Sequence, residues 1–381
     1  MAYGFPLQLI RMLTLLGLEL VCLVIPHTAS GQLSRDRTTD YLKPDGAVAT
    51  ARTANEWENR RASILAAMQS IMGPFPSLSQ RCALAPAQEE EVDMGNYLRR
   101  KISYQFLPGA RVSAYLLLPK HALQPGAKVH GVLTLHQTHA AGQKVVVGLG
   151  NSPDDEYGVE LVQRGYACLA PPYPMLADYW PDVRKLGFES GTMLAIWINS
   201  RGLDLLTTLP GMDTNRFGCI GHSLGGHNGI YTAAFDTRIA AVVSSCGLDS
   251  YRDYYDGDPK NWQAERGWCQ TRYMPRLAAY QGRLQDLPFD FAEILASIAP
   301  RRIFLNAPVG DSNFRWRSVD RVAAAANAVF SLFPGAVPIA VTHPDSPHRF
   351  PPDVREASYR FLDDALRPAS ASLGSRVQSK P

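Results

Sequence analysis

The chain has 381 residues, 46% of them hydrophobic, which is enough to bury a large core and excludes a mainly disordered polymer. Its formal charge of +3 comes from lysines and arginines scattered along the sequence rather than clustered. That excludes the basic patch of a nucleic-acid-binding protein.

Residues 1–31 have the layout of a cleavable export signal: Arg11, an apolar stretch over 12–25, then the small residues Thr28, Ala29, Ser30 and Gly31. This predicts a secreted or periplasmic protein, the alternative being a cytoplasmic one with a loose N-terminal helix. No other stretch is long and apolar enough to give the mature chain a stable membrane span. Residues 32–97 read as a linker and a helical arm. The polar 32–52 is the linker, and Thr53 with Glu56 forms a capping-box pattern. The helix that follows carries Trp57, Ile64, Leu65, Met68 and Met72 and ends at Gly73.

From 98 to 367 strands alternate with helices. Segments 98–106 and 110–119 pair around the Pro108-Gly109 turn. Further strands are expected at 129–135, 166–170, 216–220, 239–246, 302–306 and 337–341. Helices are expected at 152–164, 191–209, 227–235, 316–333 and after Pro351-Pro352. This order gives an α/β fold with a mostly parallel, doubly wound sheet. Residues 249–292 interrupt it with many aromatics and read as an insertion over the strand C-terminal ends, where α/β sites lie. The tail 368–381 is rich in Ser and Ala, and no internal repeat is present.

The chemistry begins at Gly221-His222-Ser223-Leu224-Gly225-Gly226, a G-x-S-x-G nucleophile elbow between a predicted strand and a predicted helix. A serine hydroxyl is a weak nucleophile unless a histidine takes its proton and a carboxylate orients that histidine. In this arrangement the partners follow in the order Ser, acid, His. Asp311, just after the strand 302–306, is the expected acid, with Asp249 and Asp345 as rivals. His348, between the last strand and last helix, is the expected base, with His343 as its rival. His222 and His227 are read as satisfied groups near the nucleophile. The oxyanion donors are expected to be the backbone N–H groups of Leu224 and, after the strand 129–135, of Gln137.

His136 and His139 lack a third ligand at useful spacing, so no metal is expected. Of six cysteines, Cys168, Cys219 and Cys246 fall in core strands, whereas Cys82 and Cys269 could pair in an exported chain. Tyr173, Tyr179, Trp180, Tyr254 and Trp268 are candidates for stacking on a flat or sugar-like substrate.

These residues carry a resemblance. Over about 98–366 the chain resembles bacterial α/β-hydrolases of the dienelactone hydrolase and acetyl xylan esterase type, which are similar to prolyl oligopeptidase catalytic domains. The resemblance implies the α/β-hydrolase fold, the triad Ser223, Asp311 and His348, no cofactor, and a small-molecule or carbohydrate ester as substrate. The chain departs from it in two places: dienelactone hydrolases use a cysteine nucleophile, and Gln137 stands where relatives commonly have glycine. The arm is also too short for the propeller of a prolyl oligopeptidase. The expected function is hydrolysis of small acyl esters, possible acetyl groups on carbohydrate among them. A serine aminopeptidase or amidase is the second reading, and an inactive hydrolase-fold binding module the third. The acyl and alcohol groups and the oligomeric state carry no signature in the sequence.

Overall fold

Alternating apolar residues that bury both faces of a strand demand helices on either side of the sheet, and the chain supplies them. The structure, a computed structural model, describes residue 33 and residues 36–367. The expected export signal and tail lie outside the described residues. In chain order the elements are β1 (Asp40–Leu42), β2 (Val48–Thr50), α1 (Ala54–Met72), β3 (Ala87–Asp93), β4 (Tyr97–Leu107), β5 (Ala110–Pro119) and β6 (Val129–Leu135). Then come α2 (Tyr157–Gln163), β7 (Ala167–Ala170), α3 (Gly191–Thr207), β8 (Met212–His222), α4 (Leu224–Phe235) and β9 (Ile239–Ser245). The chain closes with α5 (Phe291–Ala296), β10 (Arg302–Asn306), α6 (Trp316–Phe330), β11 (Ala340–Thr342) and α7 (Pro352–Leu366).

The central sheet has nine strands in the order β11-β10-β9-β8-β6-β7-β5-β4-β3. Pairing is parallel from β7 through β6 to β11 and antiparallel among β3, β4, β5 and the β5–β7 contact. The strands alternate as two covered faces require. On β6, Leu133 and Leu135 enter the core under α1, α3, α4 and α6, while Val132 enters the one under α2 and α7. Because β6 has β7 on one side and β8 on the other, the loops leaving β6 and β8 part at a switch point and open a crevice.

Several expectations change. The linker holds a hairpin, β1 with β2, tied by Thr50 Oγ1 donating to Asp40 Oδ1 at 2.7 Å. The sheet starts at β3, not at residue 98. Its sequence, Ala-Gln-Glu-Glu-Glu-Val-Asp, lacks apolar alternation because it is an exposed edge strand blunted by charge. The helix expected over 152–164 is broken at Glu156 (ψ 32°), where Tyr157 turns inward to donate to the Leu135 carbonyl. The last strand begins only at Ala340, since Pro338 cannot donate to a ladder. Cys82 and Cys269 are free thiols. Their Sγ atoms face the carbonyls of Gln105 and Trp262, so the pairing that the sequence left open does not form. No helix among the described residues is long and apolar enough to cross a membrane.

The arm is docked rather than loose. Thr53 caps α1 by accepting from the Glu56 N–H at 3.2 Å, and Gly73 (φ 89°) ends it. Trp57, Ile64, Met68 and Met72 are buried against the domain. Arg60, itself buried, pairs with the fully buried Glu293 of α5. Removing one partner of such a pair strands a charge in the interior. Arg60→Met should therefore lower the unfolding free energy by about 3–5 kcal/mol, measured by denaturant titration, with Arg60→Lys recovering part of the loss.

Candidate active site

The elbow at the crevice is built by contact between backbones. A Cβ on Gly221 would strike the Gly225 carbonyl group, and one on Gly225 would strike the Leu135 carbonyl. Only glycine lets α4 start that close to β6 and β8. Ser223 is thereby held at φ 51°, ψ −120°, a backbone that side chains rarely adopt. Its N–H donates to the Ser245 carbonyl at 2.7 Å, and its own carbonyl accepts from the His227 N–H at 3.0 Å. The turn lifts Oγ out of the sheet.

Oγ meets His348 Nε2 at 2.9 Å. His348 Nδ1 lies 3.0 Å from both carboxylate oxygens of Asp311. The Asp311 side chain is 1% exposed and that of His348 21%. Burial raises the Asp311 carboxyl, but His348 and the amides of Asn313 and Phe314 outweigh that and hold it below its ordinary value. Oδ1 accepts from those amides at 2.7 and 3.2 Å. A carboxylate so held keeps its charge and accepts a proton-bearing Nδ1, leaving Nε2 free to take a proton from Oγ.

The rivals are engaged elsewhere. Asp249 is buried and accepts from the Arg315 N–H at 3.2 Å, and burial pushes its carboxyl up to about 8. Asp345 is exposed. His343 sits between the Ala307 carbonyl (2.8 Å) and Asp320 (2.9 Å).

Leu224 opens α4, and Gln137 follows β6 on the other side of the crevice. Among the described residues neither backbone N–H has an acceptor. The bend at Gln137 is held by His136, whose Nδ1 donates to the Gln137 carbonyl at 2.8 Å while Nε2 accepts from the Tyr173 N–H at 3.0 Å. His139 Nδ1 accepts from the Ala141 N–H, and both ring nitrogens of His136 are already engaged.

Of the aromatic candidates, Tyr254 and Trp268 line a cleft of about 150 Å³ beside Ser223 and Leu224, together with Tyr273 and Phe314 and the polar side chains of Thr138, Gln270 and Asn313. Tyr173, Tyr179 and Trp180 do not reach it. Tyr173 is buried behind Tyr273 and donates to the Arg272 carbonyl at 3.0 Å, bracing the insertion. Tyr179 faces a separate hollow with Lys101 and Lys144. Trp180 is 65% exposed and donates to the Ala177 carbonyl. A second cleft of about 290 Å³ is lined by His348, Gln137, His222, Arg349 and Phe350 together with Ser152, Asp154 and Asp155. A hollow of about 600 Å³ around Arg252 and Arg321 is lined by neither Ser223 nor His348, and both arginines are paired there with aspartates.

Three site residues escaped the sequence reading. Asn306, ending β10, donates through Nδ2 to Ser245 Oγ (2.8 Å) and to the Arg349 carbonyl (3.1 Å). Ser245 Oγ also meets His222 Nδ1 at 3.1 Å. The Cys246 thiol, at φ 50°, donates to the Arg349 carbonyl at 3.4 Å. One network thus joins the strand under Ser223, two further strand ends and the loop carrying His348. A polar residue closing an otherwise apolar strand was the available signal for Asn306. His227 is buried with the Gly247 backbone beside it, and its ring stacks on Trp268 at 4.0 Å.

The strand order, the elbow and the Ser–Asp–His order define the α/β-hydrolase fold. A family model described as glucuronyl esterase, fungi, matches residues 184–333, which include Ser223 and Asp311. The chain is 31% identical over 152 residues to the 4-O-methyl-glucuronoyl methylesterase of Hypocrea jecorina (strain QM6a). That match covers 35% of this chain and spans 31% of the relative's length. Among solved structures, a glucuronoyl esterase from Solibacter usitatus superposes with a TM-score of 0.66 at 20% identity, covering 88% of this chain and 99% of that one. Acetyl xylan esterase 1 from Thermoanaerobacterium sp. JW/SL YS485 superposes with a TM-score of 0.53 at 15% identity, covering 80% and 93%.

Replacing Asp311 by Asn keeps the shape but offers the wrong tautomer to His348, so kcat should fall by about 10⁴-fold in steady-state ester assays. Burial also pushes His136 down to about 4 and His222 and His227 down to about 3, from an ordinary 6.5. These rings stay neutral in the folded protein while the unfolded chain protonates them, so stability is lost as pH falls below 6.5. The thermal midpoint should drop steadily from pH 7 to pH 4, and His227→Phe should flatten part of that slope.

Proposed function

We propose that the chain is a serine hydrolase of carboxylic esters carried by carbohydrate, with Ser223 as nucleophile, His348 as general base and acid, and Asp311 as the group that orients it. The observation that carries this reading is the unbroken hydrogen-bonded line from Ser223 Oγ through His348 to Asp311, anchored on a strained elbow. Oγ attacks the acyl carbon as its proton passes to His348 Nε2. The resulting oxyanion takes the N–H groups of Leu224 and Gln137, each such donor contributing about 2.7–4 kcal/mol of transition-state stabilisation. The imidazolium is stabilised by the ionised Asp311 and gives its proton to the departing alcohol oxygen. Water, deprotonated by the same nitrogen, then releases the acid from Ser223. No group other than these side chains and amides is required. The carbohydrate part of the proposal rests on the likeness to a 4-O-methyl-glucuronoyl methylesterase and an acetyl xylan esterase.

A panel of p-nitrophenyl acyl esters and aminoacyl anilides tests the reading. Esters should be turned over, anilides should lag, and Ser223→Ala should cost about 10⁴-fold or more in kcat while abolishing fluorophosphonate labelling. Faster turnover of anilides, or labelling that persists in Ser223→Ala, would overturn it.

A further inference from the structure

His348 sits in the connection between β11 and α7, which has no helix or strand of its own. Groups outside that loop must therefore fix where the ring stands. Among the described residues the backbone N–H and carbonyl of His348 make no hydrogen bond, and the loop is held through its neighbours instead. Before His348, the N–H groups of Val309 and Gly310 donate to the carbonyls of Pro344 and Ser346 at 3.1 and 3.2 Å. After it, the Arg349 carbonyl accepts from Asn306 Nδ2 at 3.1 Å, and the Phe350 carbonyl from Arg355 Nη1 at 2.8 Å. The contact made by Asn306 falls on the residue next to the base. We infer, resting on the esterase reading above, that Asn306 is a positioning residue for His348: its amide pins the Arg349 carbonyl and thereby sets how far His348 Nε2 stands from Ser223 Oγ.

The amide is fixed at both ends of that span. Asn306 closes β10 in register with Ser245 of β9, and its own carbonyl accepts from the Cys246 N–H at 2.8 Å, so its backbone belongs to the sheet. A carbonyl can only accept, so the contact with Arg349 requires Nδ2, and not Oδ1, to face the loop. Nδ2 also donates to Ser245 Oγ at 2.8 Å. The carbonyl of the same Ser245 accepts from the Ser223 N–H at 2.7 Å. Ser245 thus holds the nucleophile through its backbone and, through its hydroxyl, the amide that holds the base.

Burial makes the donor hard to replace. Asn306 is 2% exposed, and among the described residues its Oδ1 meets no donor. A buried acceptor without a donor is unfavourable, so the amide is present for what Nδ2 donates. The Cys246 thiol is a weaker donor to the same Arg349 carbonyl, at 3.4 Å. Asn306 lines neither of the clefts beside the reacting pair. Its effect on turnover therefore has to pass through His348.

The test removes the donor and keeps the shape. Asn306→Leu should lower kcat on p-nitrophenyl acetate by about 10- to 100-fold, with KM changed by about twofold or less. In a His348→Ala background the same change should cost no more than about a further twofold, because the group it acts through is already gone. Asn306→Asp carries a donor only while its buried carboxyl is protonated. Its activity relative to wild type should fall as the pH is raised from about 6 to about 9. The ionisable groups around that position are Cys246, in contact with the amide, and His222, Asp311 and His348 beyond it. Unchanged kcat in Asn306→Leu, or a loss that multiplies in full with that of His348→Ala, would overturn the assignment and leave the esterase reading intact. If Asn306→Leu does not fold, Asn306→Asp decides, and a ratio to wild type that stays flat with pH would overturn the assignment. Turnover undiminished in His348→Ala would overturn the esterase reading and this inference together.

Discussion

The left-handed backbone of Ser223 is the constraint on which the site depends. A non-glycine residue in that conformation costs about 1–3 kcal/mol and persists only where its surroundings leave no alternative. Here they leave none. Gly221 and Gly225 let α4 begin directly against β6 and β8, and the Ser223 N–H is tied to the Ser245 carbonyl on the next strand. Relaxing the turn would break that bond and drive backbone into backbone. The strain therefore holds Oγ at the height where His348 meets it.

Charge in the site is governed by burial and partners more than by residue type. Asp311 and Asp249 are both aspartates close to the crevice. The first has an imidazole and two amides to stabilise its charge and stays below the usual carboxylate range; the second has one amide and is pushed up. The same contrast separates the histidines. His348 keeps a carboxylate on one nitrogen and the serine on the other, whereas His222 and His227 sit in surroundings that forbid charge. Among the described residues, His348 is the histidine whose ring nitrogen meets Ser223 Oγ.

The insertion does two jobs with one kind of side chain. Tyr251 and Trp262 are fully buried, and their edge-to-face contact at 5.6 Å fastens the insertion to the core. Tyr254 and Trp268 stand in front of them and turn toward the cleft. Trp268 is backed by the neutral ring of His227 lying flat against it, which fixes the plane of the wall. The flat stack with Trp268 accounts for an aromatic ring being present at position 227.

By itself the sequence determined what depends on neighbours a few residues away: most of the strand and helix order, the cap at Thr53, the elbow glycines, and an aspartate and a histidine at the ends of two later strands. Those signals are local, because periodicity, turn residues and caps act within a few residues of chain. Only the tertiary structure decided the rest. It recruited the charged segment Ala87–Asp93 as an edge strand, whose stabilising partner is β4 and not its own apolar pattern. It left Cys82 and Cys269 apart. It turned Tyr254 and Trp268 toward Ser223 and used Tyr173 as a brace, a choice invisible in composition because all are equally aromatic. It also opened two clefts beside the reacting pair, one lined by Ser223 and the other by His348. Ser223 and His348 are 125 residues apart in sequence, and Asp311 and His348 are 37 apart. Their order is readable in the chain, but the 3 Å contacts between them exist only once the sheet has brought the three loops to one edge.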